Sequence, residues 1–389
     1  MTQDHKPPVT GVTTKVSVIV PARNEQASLD RCLRSLVGQE GVPFELLLVD
    51  DGSTDRTPEI ITSFAGVKEC PYLGTNGSLV GIRAFGARSP MPAGWTGKSN
   101  AIASVVDKAH GEWLLFTDAD TFHEKGSLAR ALQEADEHGA VLLSYSPQQE
   151  LGSFPERMLM PVVFSELASR FSPREVSDPA SSIAAANGQY MLIRADVYRS
   201  IGGHAAVAGD LLEDVALAGL VKEHGGKIHF RNGIGQVRAR MYRSASQMVE
   251  GWTKNLVLLF PDARSLAWRR AGEFSLMWIL LLVAQEMALL HHPALAIWSG
   301  LLAVAVWLNF FIRVRKAHSG LLNDLLAVFG LPMFSWLLLR SATAHQHHSV
   351  WWKGREYSGF ESSLESTASD GTGSSDKSTS AQKSAGRSS

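Results

Sequence analysis

Three long apolar runs follow one another late in this chain: FSLMWILLLVAQEMALL (274–290), ALAIWSGLLAVAVWLNFFI (294–312) and LLNDLLAVFGLPMFSWLLL (321–339). At a rise of about 1.5 Å per residue, each reaches roughly 25–28 Å as a helix, close to the ~30 Å hydrocarbon core of a bilayer. Buried helices of a soluble core are the alternative, but three successive runs rich in Trp and Leu are hard to bury in a domain of this size. His291, His292 and Pro293 break the first run from the second, and Arg313, Arg315, Lys316 and His318 separate the second from the third. Gln285, Glu286, Asn323 and Asp324 interrupt the runs and are expected to face other helices or a cavity at headgroup level. Arg264, Arg269, Arg270 and the 313–316 loop predict a cytoplasmic side, which the large N-terminal part shares. Three full spans would put the C-terminal tail outside, whereas one re-entrant run would keep it inside. The sequence leaves both open.

The remaining composition divides the 389 residues further. Residues 1–15 form a polar, proline-bearing arm with no apolar stretch of the kind a cleaved signal peptide needs. Residues 16–260 alternate short apolar runs with amphipathic stretches, 261–345 hold about three apolar helices, and 346–360 read as a juxtamembrane segment. From 361 to 389 the chain is Ser/Gly/Thr-rich, with too little to bury, and is expected to be disordered. A net charge of −1 argues against a nucleic-acid partner. Cys32 and Cys70 lack Cys-x-x-Cys spacing and fit reduced thiols in a cytoplasmic body.

VSVIVP (16–21) predicts a buried strand, and the next helix carries Leu29, Cys32, Leu33 and Leu36 on one face. ELLLVDDGSTD (45–55) is a second strand ending in Asp50 and Asp51. A helix after Thr57, a weaker strand, a Gly/Pro loop (83–97) and a helix from Lys98 come next. EWLLFTDAD (112–120) is another strand, before a helix near 124–138 and a strand at 140–146. Strands alternating with helices imply a doubly wound α/β sheet with ligands at the carboxyl ends of its strands. Pro21, Asp50, Asp51, Asp118 and Asp120 all lie at such ends.

Each acidic pair has a plain reading beside a chemical one. Asp50 and Asp51 fit an Asx turn capping the next helix, yet two adjacent carboxylates exceed what a turn needs, and one suits a base or ribose. Asp118 and Asp120, two apart, would alternate faces within a strand, but at its end both can approach one cation. Hard oxygen ligands suit Mg²⁺ or Mn²⁺ shared with phosphates and water. VPARNEQASL after the first strand has no Gly-x-Gly-x-x-Gly, which argues against a nicotinamide or flavin enzyme.

VSVIVPARNE, VDDGSTD, GWTGKSNA, FTDADT and LLEDVALA together resemble the ordered motifs of glycosyltransferase family 2, whose GT-A fold binds nucleotide-diphospho-sugars. RMYRSASQMVEGWTKN (240–255) and WWKGREY (351–357) narrow the likeness to the membrane-bound carotenoid-acid (4,4'-diaponeurosporenoate) type. The resemblance runs from about 16 to 357. It implies an α/β GT-A domain followed by a C-terminal transmembrane helical region.

By this resemblance Pro21, Ala22, Arg23, Glu25 and Asp51 fall where uridine and ribose are held, with Asp50 adjoining. Lys98 would meet donor phosphates at a helix start. Asp120, with Asp118 beside it, would hold the metal. Asp214, or its neighbour Glu213, would be the base that takes the acceptor proton in a single inverting displacement. First-turn acids that favour the helix dipole are the plain reading of Glu213 and Asp214. Trp252 and Lys254 fall where an interfacial helix would close the acceptor end, or else serve as a membrane-interface anchor. His345, His347 and His348 lack acidic or Cys partners and are expected to be solvated. The Gln-x-x-Arg-Trp of processive synthases is absent, which argues against polymer extension. The expected function is therefore transfer of a sugar from a nucleotide diphosphate, a UDP-hexose, to a membrane lipid, a carotenoid acid or other isoprenoid. A polyprenyl phosphate or sphingoid-like acceptor, and a nucleotide-binding scaffold without activity, are the alternatives. The cell membrane, crossed several times with the catalytic domain cytoplasmic, is the expected location.

Overall fold

The computed structural model describes residues 14–65, 78–347 and 350–357. Cys70, His348, the arm as far as 13 and the tail from 361 lie outside these described residues. β1 (Val16–Ala22), α1 (Leu29–Val37), β2 (Phe44–Asp50), α2 (Thr57–Ala65), β3 (Leu79–Gly86), α3 (Gly97–Ala103) and β4 (Trp113–Phe116) alternate. β5 (Thr121–His123), α4 (Ser127–His138), β6 (Leu142–Ser146) and β7 (Gln148–Gln149) follow, then α5 (Phe154–Arg170), α6 (Pro173–Ser177) and β8 (Met191–Arg194). Two short helices, α7 (Ala195–Ser200) and α8 (Gly203–Ala206), lead to α9 (Glu213–Glu223), β9 (Ile228–Asn232), β10 (Val237–Ala239) and α10 (Ala245–Leu259).

Seven strands form one sheet in the order β3-β2-β1-β4-β8-β6-β9. β1 and β2 read as unbroken apolar runs because helices cover both faces. On one face Leu29, Cys32, Leu33 and Leu36 of α1 pack with side chains of α2 and α4. On the other, Ala101 and Ile102 of α3 pack with Leu217, Ala218 and Val221 of α9. Every neighbouring pair is parallel except those of β8, which runs antiparallel to β4 and β6. The excursion through α5 stays at the end where β6 finishes, so β8 begins there and must run back. β4 stops at Phe116, before the two aspartates, and β3 takes in residues to Gly86 that read as loop in the sequence.

Beyond α10, α11 (Ala263–Leu289) leaves the domain and α12 (Pro293–Val314) returns packed along it. α13 (Leu321–Leu326) and α14 (Gly330–Gln346), joined by a 3₁₀ turn, make a third segment. All three are long and apolar enough to cross a membrane, but they are not alike: 6% and 11% of the most apolar stretches of the first two are buried, against 50% for the third. Leu331, Phe334, Leu337 and Leu338 of α14 bury against Trp252, Leu256 and Phe260.

Both ends of that third segment lie on the domain's side. Asp324 is buried and accepts from Arg315 at 3.1 Å, at the returning end of α12. At the other end Arg264 Nη2 donates to Gln346 Oε1 at 2.6 Å, and His345 Nε2 donates to the Lys254 carbonyl at 2.8 Å. His345 is therefore bonded into the domain rather than solvated. Asn323 Nδ2 donates to the Ser319 carbonyl at 2.7 Å. Gln285 and Glu286 differ from expectation: they are exposed within the last turns of α11 rather than turned toward another helix.

An ion network fastens the domain to the first two helices. Arg270 Nε lies 2.8 Å from Glu166 Oε1 of α5, and Arg313 Nη2 lies 2.7 Å from Glu273 Oε2. Arg270 Nη1 also reaches Glu273, at 3.1 Å. The chain then returns to the domain as a hairpin, β11 (Val350–Trp352) and β12 (Arg355–Tyr357), instead of trailing away as a juxtamembrane linker.

Candidate active site

The carboxyl ends of β1, β2 and β4 open into one cavity of about 1020 Å³. Asp118 and Asp120 stand in the loop after β4, where pleat alternation no longer applies, and both line it. Lys98, in the first turn of α3, places Nζ 2.7 Å from Asp118 Oδ1 and 2.8 Å from Glu213 Oε1. Thr96 fixes that turn by accepting from the Ser99 N–H at 3.2 Å. Gln189 Nε2 reaches Asp120 at 3.4 and 3.5 Å. Asp214, at the start of α9, accepts from the Gly188 N–H at 2.7 Å and from the Val215 N–H at 2.9 Å.

Gly188 is there for a steric reason. A Cβ at this position would stand 2.6 Å from Lys98 Nζ and 3.3 Å from Asp214 Oδ2. Only a bare backbone lets the loop before β8 press against both.

The charges act on one another. Burial, then Asp118 and Glu25, push the Asp120 carboxyl up to about 7. Burial, then Glu213, push Asp214 up to about 6. Burial opposes the charge on Lys98, but Asp118, Glu213 and Asp214 outweigh it and hold the ammonium well above its ordinary value. Burial likewise opposes ionisation of Glu213, and Lys98 holds that carboxyl below its ordinary value. Glu213 is thus a fixed anion. Asp214, engaged by two N–H groups and by no ion pair among the described residues, has a proton affinity that suits acid–base work.

Pro21, Ala22, Arg23, Glu25 and Asp51 also line the cavity. Asp50 does not: its carboxylate accepts from the Ser53 N–H at 3.2 Å, closing the Asx turn. Asp51 is instead gripped by Arg355 of the hairpin, with Nη1 2.5 Å from Oδ2 and Nη2 3.1 Å from Oδ1. Lys353, at the hairpin tip, pairs with Glu25 Oε1.

The opposite end of the cavity is apolar. Phe164 and Leu167 of α5, Phe171, Leu212 and Leu259 line it as far as Lys316 and His318, at the returning end of α12. Trp252 is buried between Phe164 and Tyr242 and its Nε1 donates to Met160 Sδ at 3.4 Å, so it is a wall of this arm. Lys254 lines the cavity with Nζ 5.6 Å above the Trp352 ring, and burial lowers its pKa. Gly188, Gln189, Lys353 and Arg355 received no role from the sequence. Arg355 and Lys353 lie within the WWKGREY stretch, a signal that a chemical role was waiting there, but Gly188 and Gln189 carry no local mark.

Residues 17–80 and 89–202 match the family described as Glycosyl transferase family 2. With this sheet, and with the aspartates at its carboxyl edge, these residues form a GT-A domain, and the protein is a glycosyltransferase. It is 26% identical over 357 residues to the 4,4'-diaponeurosporenoate glycosyltransferase of Staphylococcus aureus strain USA300, with 88% of each chain covered. The strain MRSA252 protein of the same name is 25% identical over the same length. Among solved structures, a mannosyltransferase from Pyrobaculum calidifontis in complex with GDP-Man and Mn²⁺ is 16% identical and covers 89% of each chain, with a TM-score of 0.47.

Proposed function

We propose that this protein transfers a hexose from a UDP-linked donor, with inversion, to an acidic membrane lipid, a carotenoid acid or another isoprenoid. The observation that carries the reading is the single cavity that joins the carboxylates of the GT-A edge to an apolar arm ending at the returning end of α12. A donor bound at Pro21–Glu25 and Asp51 would present its anomeric carbon toward Asp214, and a lipid lying along Phe164 and Leu167 would present its polar end to the same place. Similarity to glycosyltransferases named for a carotenoid acid supports this acceptor class. Lys254 supports an anionic end group, since it has no ion-pair partner among the described residues and a carboxylate would supply one.

Asp118 and Asp120 fit Mg²⁺ or Mn²⁺. They offer hard oxygen donors on one loop that lines the cavity. No group of three or more His, Cys, Asp or Glu ligands occurs among the described residues, so donor phosphates and water would complete the shell. When bound, such an ion offsets charge developing on the departing diphosphate.

The chain's own contributions are separate. Gly188 and Val215 hold Asp214 in place through their N–H groups. Asp214 takes the proton of a hydroxyl acceptor as its oxygen attacks the anomeric carbon from the face opposite the leaving group. A carboxylate acceptor arrives without that proton, and Lys254 then orients it. The apolar arm excludes water that would compete for the sugar.

The basic residues near 264–270 and 313–316 support a domain on the cytoplasmic face of the cell membrane. The test is to incubate membranes holding the protein with radiolabelled UDP-hexoses and a carotenoid acid, then extract and separate the lipids. Labelled carotenoid ester supports the reading. Label only in polyprenyl phosphate or sphingoid lipids would replace the acceptor, and release of free sugar alone would remove it.

A further inference from the structure

Two of the carboxylates assigned to the donor are already occupied. Asp51 holds Arg355 through both oxygens, at 2.5 and 3.1 Å. Glu25 holds Lys353, whose Nζ also donates to the Arg23 carbonyl at 3.2 Å. Both cations come from one short hairpin that follows α14. Its tip, Lys353 and Gly354, takes left-handed φ values of 47° and 74°, as a two-residue primed turn requires. Lys353 N–H donates to Glu250 Oε1 of α10 at 3.0 Å, which seats the tip over the cavity.

The fit is built from both sides. Gly97, beside Lys98, has no room for a side chain: a Cβ there would stand 1.8 Å from Arg355 Nη1 and 2.6 Å from Asp51 Oδ2. The Gly97-Lys98 pair thus brings two cations, Lys98 and Arg355, to either side of one narrow turn.

Charge balance says what the hairpin is for. Eight carboxylates line the cavity, among them Glu25, Asp51, Asp118, Asp120, Glu213 and Asp214. Without the hairpin, six cations line it: Arg23, Lys98, Arg240, Arg243, Lys254 and Lys316. Lys98 is already divided between Asp118 and Glu213. A diphosphate brings further negative charge into this excess of carboxylate, and a single divalent ion does not offset both. Arg and Lys are the side chains that bind phosphate well, the former through its fork and the latter as a point charge.

Resting on the reading of this site as a nucleotide-diphosphate donor pocket, we propose that Arg355 and Lys353 are donor-diphosphate-binding residues. In this structure they are held on Asp51 and Glu25. Donor binding exchanges partners: the nucleoside takes the two carboxylates and the diphosphate takes the two cations. The hairpin thereby becomes the last wall of the donor site, supplied from beyond the apolar helices.

The test compares UDP with uridine on the full-length protein in detergent, with Mn²⁺ present, by calorimetry for UDP and by competition for uridine. Arg355→Gln and Lys353→Gln should each weaken UDP binding about tenfold or more, the usual size of a lost charge-assisted contact. Uridine, which has no phosphate, should bind each variant as well as the wild type or better, because Asp51 or Glu25 is released. Arg355→Lys should recover part of the UDP affinity by keeping the charge. Equal weakening of UDP and uridine would make the hairpin a structural prop and overturn the proposal. Tighter binding of both would make it a plug and overturn it too. If UDP binds all forms alike, the donor reading stands and the hairpin role falls. If the wild type binds no UDP, both fall.

Discussion

The Gly188 N–H donates to Asp214 Oδ2 at 2.7 Å, across a gap that no side chain at 188 would leave. The loop before β8 and the start of α9 are thereby fixed to each other, and the carboxylate keeps one orientation toward the cavity. For a hydroxyl acceptor, Asp214→Asn should lower turnover roughly 10²–10⁴-fold, the range of general-base effects. For a carboxylate acceptor the loss should be much smaller. Product NMR should show the anomeric configuration opposite to that of the donor, and a retained α-linkage would refute single displacement.

The same carboxylate sets a pH limit. Burial and Glu213 raise Asp214 to about 6, and a base works only when ionised. Turnover on a hydroxyl acceptor should therefore be full above that value and fall as pH drops through it. The acidic limb should be missing in Asp214→Asn and with a carboxylate acceptor, which rate profiles between pH 4.5 and 8, or about that range, can check.

Metal dependence rests on the Asp118 and Asp120 pair. EDTA should abolish transfer, and Mg²⁺ or Mn²⁺ should restore it. In Asp120→Asn, calorimetry should find the Mn²⁺ uptake seen with UDP greatly reduced. Full transfer in EDTA would end the assignment.

Gly188→Ala tests the crowding directly. The added methyl must move the Lys98 ammonium or Asp214, and a displacement near 1 Å at a reacting group costs on the order of 10²-fold in rate. The melting temperature in detergent should change little, since the loop lines a cavity. A variant with wild-type rate would show that the loop gives way freely.

Glu166→Gln should destabilise the junction between the domain and the first two apolar helices. Glu166 is buried and faces Arg270 and Arg313, so its removal leaves two arginines to share Glu273, at a cost of roughly 3 kcal/mol. Denaturation of the protein in micelles measures this. A chain stopped after Asp262 should fare worse, because it bares Trp252, Leu256 and Phe260 where α14 covers them and also discards the hairpin. It should aggregate without detergent.

Much of this was readable locally. Buried parallel strands announce themselves as apolar runs, and the Asp-x-Asp after one of them marks the sheet's ligand edge. What escaped depended on distant partners or on a choice between equals. Asp50 and Asp51 are identical neighbours, yet one closes a turn and the other faces the cavity, and nothing in DDGS says which. Arg355 lies 304 positions from Asp51, so no window of sequence joins them. β8 runs backwards because of where α5 leaves the chain, a tertiary fact. Hydropathy found the third apolar run but not its bed against α5 and α10, since a helix half-covered by protein and one bathed in lipid have the same composition.

The third run bears on the parity of any membrane topology. Its two ends both adjoin the GT-A domain, so in a bilayer it would add no net crossing, and the three apolar stretches should amount to one outward and one inward passage. Fluorescent or protease-sensitive tags fused at the two extremities of the chain would then report the same compartment. The WWKGREY strands reach the cavity because the segment before them ends beside the domain.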